Sequence, residues 1–420
     1  MFIRLADNPW FLLAIPVAVI LAIRIFQRPV IGIYISSFLI PFEDLTTLFT
    51  DVTLLKILLG YTFIVWSSKS FILKDRINFY QMSYIILLII WSIFSLTWSY
   101  DLNVSLGRLI VFVQLIFFTI MTINLLNNES DIEKIMVIYV MASLLTSIMA
   151  IDLLSSGVLH RNRAAYIEGQ NPNGFSRSVG VALLYLIYFF QTNKIKKKSL
   201  FYIIGSIFLI VVIFAQSRTT YIALLVSLIP VIYFSKLGNK IRISLLGLIP
   251  TIIIFYFFQD TFYNFVLPRT QSVFTEFSMG GRDVIWVVAW EMIKDNFLFG
   301  VGFGNFTSVY GEYSTQLRGW YAETDPHNVY IAIVAELGII GLLLFIGFLK
   351  SIYTKIMSID PKYLTDRTFI LSIFIYNCIS AMANSLHYAK HFWLIFAIII
   401  AFINQNKYSQ LNIIKDNDNT

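Results

Sequence analysis

Long apolar runs follow one another along nearly the whole chain, parted by short polar breaks. They lie near 9–26, 29–42, 52–68, 79–97, 104–124, 132–154, 174–191, 199–216, 219–235, 243–258, 327–349, 367–386 and 390–404. The runs are too long for strands and lack a heptad register, so each predicts a helix. Most approach the roughly 20 residues that carry a helix across a bilayer. Lipid offers no hydrogen-bond partner to an open backbone, so such segments cross as helices. The expected fold class is an all-α polytopic membrane protein of 12–13 transmembrane helices, the first two runs counting as one span or two because only Gln27-Arg28-Pro29 separates them.

Composition agrees. Of 420 residues, 58% are hydrophobic and 13% charged, about half the roughly 25% charged residues of soluble domains. Residues 1–8 lead straight into apolar sequence without a signal-peptide cleavage pattern. The single cysteine, Cys378, excludes an intramolecular disulfide and a cysteine metal cluster, and reads as packing. The net charge of +7 falls largely in short loops, which carry orientation rather than a nucleic-acid-binding face. Lys194-Ile195-Lys196-Lys197-Lys198, the loop with Lys236, Lys240 and Arg242, and the loop around Lys350–Arg367 are expected to be cytoplasmic, as are Lys69, Lys74 and Arg76. Alternation then places 98–103, 155–173, 217–219, 259–326 and 387–389 outside.

One long polar stretch interrupts this pattern. The expected organisation is N-terminal transmembrane helices over 1–258, a large external loop over 259–326, C-terminal helices over 327–404 and a disordered cytoplasmic tail over 405–420. Within the loop, 283–297 predicts an amphipathic helix with Val284, Val287, Val288, Glu291 and Met292 on one stripe. Trp286 and Trp290 place it at the membrane interface. The glycines at 300, 302 and 304 break it; with no strand before them they are no dinucleotide site.

Candidate chemistry concentrates on the external side. Arg108, Arg161, Arg163, Arg177, Arg218 and Arg282 sit there against the positive-inside trend. A bound anion would offset that, because the planar guanidinium holds phosphate bidentately. The residue types point to a phosphate or diphosphate headgroup in lipid. Bland readings stand beside this: solvated loop charges for Arg161 and Arg163, a structural pairing for Arg108, and an ion pair with Glu291 or Asp283 for Arg282. The turn Gln216-Ser217-Arg218 needs no arginine for its own sake. At the mouth of the 327–349 run lies Asp325-Pro326-His327-Asn328. His327 reads either as a helix cap with Asp325 or as a general base taking a proton from a sugar hydroxyl, with Asn328 or a nearby acid orienting the ring. The four histidines, at 160, 327, 387 and 391, show no metal-protease spacing, and the i, i+4 pair His387/His391 is weak evidence for a metal.

Taken in order, Trp98-Ser99-Tyr100-Asp101 with Arg108, Gln170-Asn171-Pro172-Asn173-Gly174, Ser217-Arg218-Thr219, Gly281-Arg282-Asp283-Val284-Ile285-Trp286, Phe299–Phe306, Pro326-His327-Asn328-Val329-Tyr330 and Glu336-Leu337-Gly338-Ile339-Ile340-Gly341 form a series. It resembles the bacterial O-antigen ligase and polymerase superfamily of membrane glycosyltransferases. The resemblance implies a C-type glycosyltransferase fold with about 12 helices and one large periplasmic loop, in the bacterial inner membrane with the active site facing the periplasm. It implies a glycan donor on undecaprenyl diphosphate, a glycan or lipid A-core acceptor, and no cofactor, metal or nucleotide sugar. By position, Arg218 and Arg282 hold the donor diphosphate, joined by Arg161 and Arg163, and His327 is the catalytic base. Asp325, Asn328, Arg108 and Arg177 support them. Three activities fit: a polysaccharide polymerase, which diversity within the family favours; a ligase transferring the finished chain to lipid A-core or a protein hydroxyl; and a transporter of the lipid-linked sugar. Transport ranks last, because no paired halves are visible and the arginines gather at one face.

Overall fold

The computed structural model describes residues 10–42, 53–75, 77–155, 171–235, 282–316 and 324–418, with isolated positions between 241 and 267. Among the described residues there are 14 α-helices and no strand. We number them α1 (Trp10–Gln27), α2 (Val30–Leu39), α3 (Leu54–Leu73), α4 (Ser83–Phe94), α5 (Leu102–Leu125), α6 (Glu129–Ser155), α7 (Pro172–Gln191), α8 (Lys198–Phe214), α9 (Arg218–Phe234), α10 (Arg282–Asp295), α11 (Phe306–Gln316), α12 (Val329–Met357), α13 (Leu364–Ser380) and α14 (Lys390–Asp418). α5, α6 to Leu154, and α12 are long and apolar enough to cross a membrane, and shorter apolar helices accompany them. The protein is an all-α polytopic membrane protein.

Every apolar run of the sequence becomes a helix except 243–258, which lies outside the described residues apart from Ile252 and Tyr256. Two helices form the centre. α7 is buried on nearly all sides from Phe175 to Phe190, and α14 from Phe392 to Ile403. A helix apolar all round belongs in such a position. α7 packs on α6 and α8, α14 on α5, and α9 lies along α13.

Three expectations are corrected. The segment 405–418 continues α14 as helix rather than forming a disordered tail; once α14 is nucleated, each added residue gains a backbone hydrogen bond at little further cost. The run 367–386 ends its α-helix at Ser380, and two 3-10 turns, Ala381–Ala383 and Leu386–Tyr388, follow. The buried stripe of α10 is Ile285, Val288, Ala289, Met292 and Ile293, one position round from the expected one. Val287 faces outward, and Glu291 bonds Lys294 at the surface; the charge on Glu291 is what turns that face out.

The feature that positions the site is a break in α12. Gly338 has φ 67° and ψ −170° and interrupts the helix. The segment 339–357 that follows has 19 residues, about 28 Å of helix and close to the roughly 30 Å hydrocarbon core. The break frees carbonyls that the polar loop and α4 take up. Val301 N–H donates to Ala335 O at 3.0 Å, Gly302 N–H to Glu336 O at 2.9 Å, and Trp91 Nε1–H to Leu337 O at 2.9 Å. Irregular backbone within a membrane protein survives where protein satisfies it in this way. Gly300, with φ 71°, lies so close to the Glu336 backbone that a side chain would collide with it. The glycine run is therefore a docking loop for the broken helix.

Candidate active site

α7, α9, α10 and α12 all begin at one end of the bundle, opposite the Lys194–Lys198 turn. Their N-termini present the positive ends of helix dipoles, with Asn171 capping α7 and Asn328 capping α12. On this frame the structure brings Arg177, Arg218 and His327 each within electrostatic reach of Arg282. Ser217 is extended at the cap of α9, after Gln216 in the left-handed region at φ 54°, and Arg218 opens the helix. Arg282 opens α10. Burial, and then the like charge of Arg218, hold the Arg282 pKa below its ordinary value. The charge of Arg282 also reaches Arg177 in α7 and the ring of His327. Arg177 is buried and donates from Nε to His391 Nε2 at 3.1 Å. Of the two expected ion-pair partners of Arg282, Glu291 and Asp283, Glu291 is bonded to Lys294.

His327 is half-buried and has φ 49°. A non-glycine residue in that region is uncommon and needs support from its surroundings. The support is visible. Asp325 Oδ1 accepts the His327 backbone N–H at 2.8 Å and lies 3.8 Å from Nδ1. The same oxygen accepts the Ser385 hydroxyl. Trp286 Nε1–H donates to Pro326 O at 3.1 Å, which ties the loop to α10. Trp286 thus anchors the loop, beyond the interfacial role its type suggests. Asn328 caps α12, its Oδ1 accepting Tyr330 N–H at 2.9 Å and Ile331 N–H at 3.2 Å. Its side chain is spent on the cap, so Asp325 is the acid beside the ring. Burial holds the His327 pKa below the usual imidazole value; Arg282 acts the same way and Asp325 opposes it. The neutral ring that results can accept a proton.

A second group lies on the other side of Asp325. Arg108, Glu336, Ser385, His387 and Tyr388 enclose a small cavity with Asp325 and Gly304. The Arg108 guanidinium sits 5.0 Å from the centre of the Tyr388 ring. The charge of Arg108 also reaches Glu336, which lines the same cavity. Glu336 accepts Gly304 N–H at 2.9 Å and Phe306 N–H at 3.4 Å, capping α11. His387 is buried, which pushes its pKa down to about 4, with Asp325 opposing and Arg108 assisting. The WSYD and GNF landmarks also meet. Asn305 Nδ2 donates to Ser99 Oγ and Ser105 Oγ, both at 2.7 Å, and its Oδ1 accepts Asp101 N–H at 3.1 Å.

Residues 203–346 match the family described as O-antigen ligase. The match runs from within α8 into α12 and contains Arg218, Arg282 and His327. The resemblance to the O-antigen ligase and polymerase superfamily holds, and it supports a membrane glycan-processing enzyme of glycosyltransferase type. No curated protein matches the chain.

Arg161 and Arg163 lie outside the described residues. Ser385, Tyr388 and the site role of His387 were not read from the sequence. The signals were present: a polar Asn384-Ser385 pair ends the 367–386 run, and a histidine follows in what looked like a plain turn.

Proposed function

We propose that the protein is a surface-polysaccharide polymerase of the bacterial inner membrane, working at its periplasmic face. It transfers a glycan from undecaprenyl diphosphate to a sugar hydroxyl of a lipid-linked repeat unit. What supports this reading is that the charge of Arg282 reaches both Arg218 and the loop-held His327, with all three residues inside the O-antigen ligase match.

The chemistry follows from the side chains. His327 takes the proton from the acceptor hydroxyl. The oxygen lone pair forms the new bond to the anomeric carbon, while the bond from that carbon to the diphosphate oxygen breaks. The departing electron pair and charge fall on the diphosphate, where Arg218 and Arg282 meet them, with Arg161 and Arg163 completing the set. Preorganised charge of this kind is usually the largest catalytic term. Attack opposite the leaving group inverts the anomeric centre. Asp325 holds the ring in place and stabilises the imidazolium that forms. Arg177 supports the cluster from within the bundle, and Arg108 supports Asp325 and Glu336.

The family's description favours a second reading, a ligase that delivers the finished chain to lipid A-core. A strain lacking the protein decides between them. Single repeat units on the core support the polymerase; long chains stranded on the lipid carrier support the ligase.

A further inference from the structure

A cavity of about 540 Å³ lies beside the loop that docks the broken helix. Its volume falls within the roughly 300–1,000 Å³ typical of ligand pockets. Trp98 and Tyr100 reach it from the turn after α4, Asn296 and Phe299 from the link between α10 and α11, and Glu312 and Tyr313 from α11 itself. The landmarks at 98–101 and 299–306 thus share one surface, and transfer at His327 leaves its aromatic rings unused.

The rings are open and held in place. Tyr100 is 56% exposed and Phe299 51%. Trp98 meets Phe299 edge-on with ring centres 5.6 Å apart, and Trp91 stacks on Phe299 at 5.9 Å. Tyr100 N–H donates to Val301 O at 3.3 Å. The polar groups are fixed as well. The Tyr100 hydroxyl donates to Glu312 Oε1 at 2.6 Å, and Asn296 Nδ2 donates to the Tyr313 hydroxyl at 3.2 Å. A carboxylate has about four acceptor positions, and a phenol both donates and accepts. These groups can therefore bond a ligand while keeping their present partners.

A polyhydroxylated ring matches this pairing. Its C–H face meets the negative π faces, and its hydroxyls meet carboxylate, amide and phenol. Tyrosine and tryptophan give large, rigid contacts at low entropic cost. Charge selects against other occupants. Among the described residues lining the cavity, Glu312 is the one charged side chain. It repels a lipid diphosphate or an anionic headgroup, and an acyl chain would set the polar groups against hydrocarbon. The cavity also lies within reach of the site. Val301 lines it and donates to Ala335 O at 3.0 Å. Ala335 is about 9 Å of helix past the start of α12 at Val329, so a few sugar units span from the cavity to His327. We propose that this cavity is a saccharide subsite, holding ring faces of the glycan a few sugars away from the bond formed at His327. This deepens the glycosyltransferase reading and rests on it.

The test is saturation-transfer NMR on the full-length protein in nanodiscs. The probe is lipid-free oligosaccharide cut from the source bacterium's own surface polysaccharide. Saturation of sugar ring protons is expected with the wild type. Tyr100→Ala and Glu312→Gln should each raise Kd about tenfold, the size of one aromatic contact or one hydrogen bond to a charged group. Tyr100→Phe keeps the ring and should recover most of the affinity, and His327→Ala should bind as the wild type does. Unfolding temperatures separate lost binding from lost fold. Binding that is unchanged in both Tyr100→Ala and Glu312→Gln, or that short-chain phosphatidylglycerol displaces, overturns the proposal. Binding requires no transfer, so the two readings fail separately. Cavity-dependent binding by a protein that transfers no glycan removes the glycosyltransferase reading. Transfer by Tyr100→Ala with wild-type KM for both donor and acceptor removes the subsite, whereas a raised KM for one of them supports it and names which of the two glycans the cavity holds.

Discussion

Gly338→Ala tests whether the break in α12 sets the site. The backbone at φ 67°, ψ −170° is essentially glycine-only, and a side chain there costs about 1–3 kcal/mol in strain alone. The added carbon would press on the Leu298 carbonyl and lie 2.6 Å from the Phe299 nitrogen. Relief means separating α12 from the loop. Three backbone bonds cross that junction: Val301 to Ala335 at 3.0 Å, Gly302 to Glu336 at 2.9 Å and Ile339 to Phe297 at 2.8 Å. At about 1 kcal/mol each, losing them brings the upper total to about 4–6 kcal/mol. That is a large part of the roughly 5–15 kcal/mol by which folded domains are stable. The assay pairs thermal unfolding of the purified protein, followed by labelling of Cys378, with glycan transfer. Gly338→Ala should lower both, whereas Gly107→Ala, in a helix with open space around it, should leave unfolding unchanged or slightly improved. Wild-type unfolding and transfer in Gly338→Ala would show that the break does not hold the loop.

Three further predictions concern the site itself. Trp286→Phe removes the 3.1 Å bond to Pro326, worth about 1 kcal/mol; kcat should fall while the unfolding temperature barely moves, and an unchanged kcat would contradict the anchoring role. The pH profile follows from burial and Arg282 holding the His327 pKa down: kcat/KM should rise with pH through a midpoint below that of a free imidazole, then level. Arg282→Gln should move that midpoint up, because it removes a charge that disfavours protonation, and Asp325→Asn should move it down. A midpoint that ignores both changes would take His327 out of the proton transfer. Arg218→Lys keeps the charge but loses the fork; losing one charge-assisted bond, about 1.5–3 kcal/mol, should slow turnover about 10–100-fold, and full activity would exclude bidentate phosphate binding.

The helices were legible because each apolar run has one backbone solution in lipid. Arg218, Arg282 and His327 stood out in the sequence too, since each lies at or just before the start of a helix. Side-chain partnerships did not. That Trp286 bonds Pro326, and that Arg108 lies over Tyr388, depends on which helices pack together. A single sequence carries no pairing information of that kind. Gly338 was visible inside an apolar run, but its role appears only when the carbonyls it frees meet Val301 and Gly302. The 3-10 turns at 381–388 were hidden because apolar residues continue through them, while the backbone has already left the helix at Ser380.

The most direct test of the account is transfer by purified His327→Ala reconstituted with an undecaprenyl diphosphate-linked repeat unit. The account predicts that the variant inserts, unfolds like the wild type and retains the lipid-linked donor, yet forms no glycosidic bond. Elongated glycan at the wild-type rate would contradict it.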